Sequence, residues 1–499
     1  MYKGRIEFIF VIIMIYSVYL VFYTEIPVLW KSFCIVLYAL IILKTIIYLM
    51  LQNRTSQNTL LWIYILVLLP VLGYIFYVYS GQLLIKSYIF KSKRSSDHLL
   101  FETLSKRKET PDVSKLNEHQ LGFARYLEQV PLTNIDMHTK TQILKNGQET
   151  FQEIKRRLIE AKDFIHLEYY IFRYDRLGKE LIDILIDKVQ AGIEVRFMFD
   201  AVGSFSLTDS EINKMEKAGI IIHFFSPIKK GFINQKFNFR NHRKIIVIDG
   251  EIGFVGGLNV GVEYLGEDDK IGFWCDTHVV LEGEAVQSLH AVFLLDWSYV
   301  CGEKLFDNDR YIKPISVSGN GLVHVVPTGP ETEGMKDHYY ALISCATKSI
   351  WIATPYFIPD KAIQTALRVA ARKGIQVRLM VPETNDGFLT QYAAQSYFPE
   401  LLGFGIEIYS YQKGFLHKKI IIVDGNMASI GTANMDMRSF HLNFEVNLFL
   451  TETDSIQDLV THYQEDLNEC LRIDPIEFNK RGLAIRIKES FTRLFSGIL

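Results

Sequence analysis

The sequence predicts the α/β fold class, with two similar α/β/α domains packed in pseudo-twofold fashion behind N-terminal transmembrane helices. Three observations predict it. Long apolar runs are confined to the first 85 residues, strand-like runs alternate with helical periods from about residue 131, and one polar pattern occurs twice at a constant offset. A chain of 499 residues is also too long for one ordinary core, so two or three domains are expected.

Residues 1–85 contain three apolar runs, at about 8–23, 32–51 and 60–80. Each approaches the ~20 residues that a helix needs to cross a bilayer, which predicts two or three transmembrane helices. Because Lys44 lies inside the second run, a re-entrant or interfacial helix is the alternative there. The first run lacks a signal-peptide cleavage site, which argues against its removal.

Positive charges flank this region on both sides. Lys3 and Arg5 favour a cytoplasmic N-terminus, and a larger cluster after the third run favours a cytoplasmic face there. That cluster is Lys86, Lys91, Lys93, Arg94, Lys106, Arg107 and Lys108. Three full crossings would put these two cationic flanks on opposite sides of the membrane, so both could not be cytoplasmic. We therefore predict a cytoplasmic C-terminal bulk, with either an external N-terminus or one run that does not cross.

The remaining chain is predicted to hold a linker, two domains and a tail. Residues 86–130 are charged and irregular, which indicates a linker with short helices. The domains, at 131–315 and 316–480, should each run helix, strand, helix, strand, helix, strand and then the repeated pattern. Residues 481–499 predict an amphipathic tail that lies on an anionic membrane surface or, alternatively, packs on the second domain. Its cations are Arg486, Lys488 and Arg493.

Composition excludes several classes of partner. A net charge of −2 gives no reason to expect nucleic acid. The five cysteines are scattered, with no C-x2-C pair, so neither a zinc site nor a disulfide framework is predicted. We expect no metal and no cofactor.

The repeated pattern is H-x-K-x4-D-x6-G-x2-N. Its members are His242, Lys244, Asp249, Gly256 and Asn259, then His417, Lys419, Asp424, Gly431 and Asn434. The β-branched strings KIIVID and KIIIVD predict buried strands, on which the histidine and lysine share a face. Asp-Gly then predicts a hairpin that returns the asparagine towards that pair. Turn formation is the alternative role of both aspartates and both asparagines.

Two such domains in contact would bring two histidines, two lysines and two asparagines to one cleft. That set suits phosphoryl transfer, because one imidazole can attack phosphorus while the other protonates the leaving oxygen. The lysines and asparagines can donate hydrogen bonds to the non-bridging oxygens. The lysines also supply the positive charge that magnesium supplies elsewhere.

The paired H-x-K-x4-D signatures resemble those of the phospholipase D superfamily, and nearly the whole chain is similar to bacterial cardiolipin synthases. The strings that carry this resemblance are HLEYYIF at 166–172, FRNHRKIIVIDG at 239–250, IATPYFIPD at 352–360 and NMDMRSFHLNFE at 434–445. The resemblance implies a multi-pass protein of the bacterial cell membrane whose partners are phosphatidylglycerol and membrane lipids.

The resemblance further implies a two-step phosphatidyl transfer. One histidine attacks a phosphatidylglycerol and releases glycerol, and a second phosphatidylglycerol then takes the phosphatidyl group to give cardiolipin. His242 is the implied nucleophile and His417 the implied acid and base. A downstream carboxylate is expected to orient each histidine, Glu445 for His417 and Asp276 for His242. After the motif glycine, superfamily members often have Ser or Thr. The second copy follows this pattern with Thr432, whereas the first copy has Gly257.

Three alternative functions are weighed against this one. A phospholipase D-type hydrolase, or a transferase with another alcohol acceptor, would share the whole catalytic set. A nuclease of the superfamily fits less well, because the chain is not basic and carries membrane runs. A membrane scaffold with an inactive domain is opposed by the completeness of both signatures.

Overall fold

The computed structural model describes residues 2–51, 56–77, 90–105, 113–114, 116–226, 238–312, 317–330, 332 and 334–497. The chain forms two compact units, Met1–Lys91 with Ser226–Phe239, and Ser92–Phe225 with Arg240–Leu499. Four cations of the predicted positive cluster lie outside the described residues, namely Lys86, Lys106, Arg107 and Lys108.

The described part of the N-terminal unit is helical. Its helices are α1 (Tyr2–Tyr23), α2 (Val28–Met50), α3 (Ser56–Leu68) and α4 (Pro70–Phe76). They share a buried apolar core that includes Met14, Ile41, Leu49, Trp62 and Leu66. Many outward side chains are apolar and exposed, as a lipid-facing surface requires.

Among the described residues, only α2 is both long and apolar enough to cross a membrane, judged by length and composition. The apolar parts of the neighbouring helices, Ile9–Tyr23 and Thr59–Leu68, are shorter. The third predicted run is divided at Pro70, because proline has no N–H and its ring clashes with the preceding turn. The end of that run, at 78–80, lies outside the described residues.

The larger unit contains the repeat. Its helices are α5 (Lys91–Ser105), α6 (Glu118–Gln129), α7 (Asn146–Glu160), α8 (Arg176–Gln190), α9 (Asp209–Lys217), α10 (Glu284–Cys301), α11 (Met335–Ser344), α12 (Lys361–Arg372), α13 (Phe388–Gln395), α14 (Phe398–Gly403), α15 (Met437–His441), α16 (Ser455–Asn468), α17 (Pro475–Asn479) and α18 (Leu483–Arg493).

The strands of this unit run from residue 135 to residue 472. They are β1 (Ile135–Asp136), β2 (Thr139–Lys145), β3 (Phe164–Tyr169), β4 (Glu194–Asp200), β5 (Ile221–Phe225), β6 (Ile245–Ile248), β7 (Ile252–Gly256), β8 (Phe273–Cys275), β9 (Thr277–Gly283), β10 (Leu322–Thr328), β11 (Ser349–Ala353), β12 (Phe357–Ile358), β13 (Gln376–Pro382), β14 (Glu407–Tyr411), β15 (Gly414–Leu416), β16 (Ile420–Val423), β17 (Met427–Gly431), β18 (Met435–Asp436), β19 (Glu445–Thr451) and β20 (Cys470–Arg472).

Two mixed sheets confirm the predicted α/β duplication. The first has the order β2-β9-β7-β6-β3-β4-β5, and the second has β1-β10-β19-β17-β16-β11-β13-β14-β20. In each, the motif strand lies antiparallel between the first strand of the parallel set and its own hairpin partner. Strands β3 and β6 are buried along their whole length, so both faces of the sheet are covered.

Two predicted boundaries change. Strand β1, which was assigned to the first domain, pairs with β10 of the second sheet through Ile135 and His324. Part of the predicted linker also belongs to the larger unit, because Phe123 and Leu127 of α6 lie in the core of the second half. Lys93 of α5 forms a buried ion pair with Asp296. Long-range pairings of this kind leave no periodic signal in the sequence.

The motif aspartates occupy hairpin turns at the far end of the motif strands. Asp249 and Gly250 have φ values of 56° and 73°, the left-handed geometry that a tight hairpin turn requires. The Asp249 carboxylate accepts the backbone N–H groups of Lys162, Asp163 and Phe164 at 2.7–3.0 Å. It therefore fastens the hairpin to the start of β3.

The second copy repeats this anchor. Asp424 has a φ of 54° and accepts the N–H groups of Thr347, Lys348 and Ser349 at 2.7–2.8 Å. These bonds hold the second hairpin to the start of β11. Both aspartates thus serve turn geometry and strand anchoring, the alternative that the sequence left open.

Replacing Asp249 with Ala should destabilise the first half. The substitution leaves three backbone donors without their acceptor, so the free energy of unfolding should fall by about 1–3 kcal/mol. Thermal unfolding in detergent measures the loss. The matched control is Glu251→Ala at the same turn, whose exposed side chain should change stability by less than about 0.5 kcal/mol. Equal stability of the Asp249→Ala and Glu251→Ala proteins would refute the anchor.

Candidate active site

Two parallel backbone pairings join the halves beside the motif histidines. Strand β15 pairs with β8, and its last residue, Leu416, lies opposite Cys275. The backbone N–H of His417, the next residue, donates to the Cys275 carbonyl at 2.7 Å. On the other side Asn241 bridges to Phe444 in parallel, and the N–H of His242 donates to the Phe444 carbonyl at 2.9 Å.

These pairings put each histidine against a carboxylate of the other half. His242 Nδ1 lies 2.9 Å from Glu445 Oε2, and His417 Nδ1 lies 2.6 Å from Asp276 Oδ2. The expectation that each carboxylate orients the histidine of its own half is therefore wrong. Because the strands are parallel, Asp276, which follows Cys275, lies opposite His417, which follows Leu416. For the same reason Glu445, which follows Phe444, lies opposite His242, which follows Asn241.

Burial sets the protonation state of this quartet. Desolvation lowers the pKa of His242 to about 4 and that of His417 to about 3. Burial alone would raise the pKa of Glu445 and Asp276, but the neighbouring histidines and lysines hold both below their usual values. Each imidazole is thus neutral near pH 7. Its Nδ1–H donates to an ionised carboxylate, which leaves an Nε2 lone pair for chemistry.

The motif lysines are buried beside the histidines. Lys244 Nζ donates to the His242 carbonyl, and Lys419 Nζ to the His417 carbonyl, both at 2.6 Å. These residues precede β6 and β16, so the predicted His–Lys face lies on the extended segments before the strands. Desolvation lowers the pKa of Lys244 to about 7 and that of Lys419 to about 8. A bound anion would offset that cost and keep both lysines charged.

Charges also act across the two halves. The positive charge of Lys419 contributes to the lowered pKa of both His242 and Lys244, and that of Lys244 contributes to the lowered pKa of His417. The two motifs therefore lie close enough together in a buried region for their charges to interact. The described residues contain no cluster of His, Cys, Asp or Glu that could hold a metal ion.

The two motif asparagines differ. Asn259 Oδ1 accepts the N–H of Ile171 at 3.1 Å, and its Nδ2 lies 3.4 Å from the Tyr264 hydroxyl. Asn434 is buried, and its Oδ1 has no hydrogen-bond partner among the described residues. Asn259 therefore holds the segment that follows β3, whereas Asn434 keeps an unsatisfied polar atom inside the protein.

Gly257 is explained by the acid that it faces. Thr432, the equivalent residue, donates its hydroxyl to Glu445 Oε2 at 2.6 Å. In the first half a Cβ atom on residue 257 would overlap the Asp276 carboxylate. Asp276 is instead held by the backbone N–H of Thr277 at 2.8 Å. The hydroxyl contact thus exists in one half only.

Sequence reasoning missed the aromatic partners of the histidines. The Tyr170 ring meets His242 edge-on at 5.0 Å between centroids, and Lys244 Nζ lies 5.4 Å from the same ring. Trp274 lies 4.9 Å from His417. The strings HLEYYIF and FWCD contain these residues, but only the fold shows that their ends reach the cleft.

The middle residue of each H-x-K was also missed. Arg243 is paired with Asp296 of α10, and its Nε donates to the Glu445 carbonyl at 3.0 Å. Lys418 is paired with Asp466 of α16. In each motif, the residue between the histidine and the lysine is thus a buried cation that pairs with a helix carboxylate outside the cleft. The cation at this position in both copies was a signal available in the sequence.

Comparisons with known proteins agree with this architecture. The family model described as "Cardiolipin synthase, PLD-like domain" matches residues 154–297 and 339–470. The chain is 52% identical over its whole length to the probable cardiolipin synthase YwiE of Bacillus subtilis, of which it covers 100%. It is 48% identical to cardiolipin synthase 2 of Bacillus anthracis, over 90% of this chain and 88% of that one.

Solved structures also share the fold. The phosphatidylserine synthase of Haemophilus influenzae superposes with a TM-score of 0.59 at 15% identity, over 77% of this chain and 100% of that one. At this identity the likeness concerns the fold alone.

The two lysines should make anion binding depend on pH. Sulfate keeps its charge between about pH 6 and 9, whereas Lys244 and Lys419 lose theirs as pH rises through about 7 and 8. Stabilisation by sulfate should therefore be largest at pH 6 and fall towards pH 9. The measurement is the sulfate-induced rise in the unfolding midpoint.

The matched variants are Lys244→Met, Lys419→Met and, as a control, the exposed Lys373→Met. Sulfate stabilises proteins generally, so the difference from wild type isolates the site. Each motif variant should lose about 1.5–3 kcal/mol of sulfate-linked stabilisation at pH 6, and Lys373→Met should lose none. A sulfate effect that is independent of pH, or equal in all four proteins, would contradict this assignment.

Proposed function

Because the chain belongs to the cardiolipin synthase family of phospholipase D-like proteins, we propose that it transfers a phosphatidyl group from one phosphatidylglycerol to another, giving cardiolipin and glycerol. It is a membrane-associated phosphatidyltransferase whose substrate is a phospholipid. The observation that carries the proposal is the crossed pair of neutral histidines, each backed by a carboxylate of the other half.

The first step exchanges one P–O bond for a P–N bond. We assign His242 as the nucleophile, following the family resemblance. Its Nε2 lone pair attacks phosphorus, the bond to the glycerol oxygen breaks, and His417 gives that oxygen a proton. His417 must be protonated at this point. The phosphodiester anion, added to Asp276, supplies the negative charge that raises the pKa of His417 from its low unliganded value.

The second step reverses these roles. His417, now neutral, accepts the proton of a hydroxyl on the second phosphatidylglycerol. That oxygen attacks phosphorus, and the P–N bond to His242 breaks. One phosphodiester replaces another, so the transfer is reversible and needs no nucleotide.

The buried cations stabilise the charge that develops in both steps. We propose that the buried Lys244 and Lys419 donate to the non-bridging oxygens, where the low dielectric strengthens each contact. Asn434 and Asn259 are proposed as further supports. Asp249 and Asp424 act at a distance, by fixing the hairpins that carry the motifs.

The proposed topology uses two crossings. We propose that the 22-residue α1, although its apolar part is shorter than α2, crosses together with α2, and that the Pro70-interrupted run does not cross. Lys3 and Arg5 at the start of α1 and the cations after residue 85 are then on one side of the membrane. The larger unit is then cytoplasmic and the protein is multi-pass in the bacterial cell membrane. A cysteine introduced at the start of the chain should resist a membrane-impermeant thiol reagent in intact cells. Labelling there would place the N-terminus outside and exclude two crossings.

The assay for the reaction supplies purified full-length protein with labelled phosphatidylglycerol and separates the lipids. Cardiolipin and free glycerol are the expected products. Phosphatidic acid alone would identify a hydrolase, a different lipid ester would identify another acceptor alcohol, and no turnover would leave only the scaffold.

His242→Ala and His417→Ala should each lower the transfer rate by at least about a thousandfold, because neither half holds a complete acid–nucleophile pair. His223→Ala is the matched control, since this half-buried histidine packs on Trp297 outside the motifs and should leave the rate nearly unchanged. Near-normal transfer in either motif variant would refute the shared site.

A further inference from the structure

The C-terminal helix presents an apolar stripe to the outside. Leu483, Ile487, Phe491 and Leu494 are spaced by three or four residues, so they lie on one face of α18. Their exposed fractions are 71%, 59%, 56% and 67%. An amphipathic helix of a water-soluble domain turns its apolar face inwards, and α18 does the opposite.

The polar face of α18 is the one that packs on the protein. Glu489 and Thr492 are buried, and the Glu489 carboxylate accepts two N–H groups of Arg481 at 2.8 and 2.9 Å. Two side chains of α18 contact the neighbouring α13 and its C-cap. Lys488 Nζ lies 5.4 Å from the Tyr392 ring of α13, and Arg493 Nη1 donates to the carbonyl of Ser396, the residue after α13, at 3.3 Å. The orientation of the helix is thus fixed by polar contacts.

The borders between the apolar stripe and the packed face are cationic and exposed. Arg486, Lys488 and Arg493 flank the stripe. Glu489 is the one acidic residue of α18, and its charge is already paired with Arg481. A face of apolar side chains bordered by cations, on a chain of net charge −2, complements an anionic lipid surface.

The stripe continues towards the cleft through α13. Phe388, the first residue of that helix, is 58% exposed. Two residues earlier, Asp386 accepts the Tyr356 hydroxyl at 2.6 Å, and its charge is one of those that act on Lys419. The apolar rim therefore starts two residues from a carboxylate whose charge acts on Lys419, the motif lysine of the second half.

We propose that α18 and the Phe388 rim form a docking surface for an anionic phospholipid bilayer, on which the stripe inserts and the flanking cations meet lipid phosphates. The proposal rests on the phosphatidyl transfer proposed above, because docking here would bring lipid phosphodiesters to the mouth of the cleft. It concerns the larger unit alone and adds a contact to those that the N-terminal helices make with lipid.

A depth measurement tests the contact without using activity. The full chain, with Cys301→Ser to remove the exposed native thiol, is placed in nanodiscs of equal phosphatidylglycerol and phosphatidylcholine. A nitroxide is attached at Ile487→Cys or, as the matched control, at Ile159→Cys. Ile159 is also 59% exposed and lies in the last turn of α7, near the Asp249 anchor at the far end of the motif strand.

The label at position 487 should be reached by oxygen and shielded from an aqueous nickel complex, whereas the label at 159 should show the reverse. Replacing the anionic lipid with phosphatidylcholine should weaken the shielding. Aqueous behaviour at 487, or shielding by a second copy of the chain seen as label–label coupling, would overturn the proposal. The same depth pattern is expected in a His242→Ala background, because insertion of α18 does not require transfer. The measurement therefore tests docking separately from the proposed chemistry.

Rate measurements give a second, independent test. The double variant Ile487→Asp with Phe491→Asp should lose about tenfold or more of its transfer rate on bilayers, since two side chains of the membrane-inserting stripe become charged. Its rate on dispersed short-chain phosphatidylglycerol should stay within about twofold of wild type. Ile159→Asp should leave both rates unchanged. A double variant with full bilayer activity would exclude docking through α18.

Discussion

The crossed histidine–carboxylate pairs are the interaction on which the rest of the site depends. His242 is held by Glu445 and His417 by Asp276, so neither half can orient its own imidazole. Each bond selects the tautomer with Nδ1 protonated and leaves Nε2 free to act as nucleophile or base. Because the halves exchange carboxylates in this way, each half needs the other to orient its histidine. The site is a property of the interface between the halves.

The exchange follows from backbone geometry. Parallel pairings at Cys275–Leu416 and Asn241–Phe444 set the register, and the next residue on each strand is a member of a pair. The halves are nevertheless unequal. The longer Glu445 is braced by the Thr432 hydroxyl, whereas the shorter Asp276 fits only because residue 257 is glycine. This asymmetry allows two chemically similar histidines to take different roles.

The sequence predicted most of the fold and the members of the motif, because strand and helix periods are local and the motif is repeated. It could not predict which carboxylate serves which histidine, since proximity along the chain favoured Glu445 for His417. Register across the interface decides that point. The same limit explains β1, which precedes the first half but pairs with the second sheet. Pro70 was visible, but its division of the third apolar run required the helix bounds.

The role of the crossed pairs is tested most directly by identifying the nitrogen that carries the phosphatidyl group. The intermediate formed with labelled phosphatidylglycerol can be quenched in denaturant at neutral or mildly basic pH, which preserves the P–N bond, then digested, and its phosphohistidine isomer identified by ³¹P NMR and mass spectrometry. Because Nδ1 of each histidine is hydrogen-bonded to a carboxylate, we expect phosphorus on Nε2 of His242 alone. Phosphorus on an Nδ1 atom, or a reactive intermediate that is not attached to a histidine, would contradict the crossed-pair mechanism.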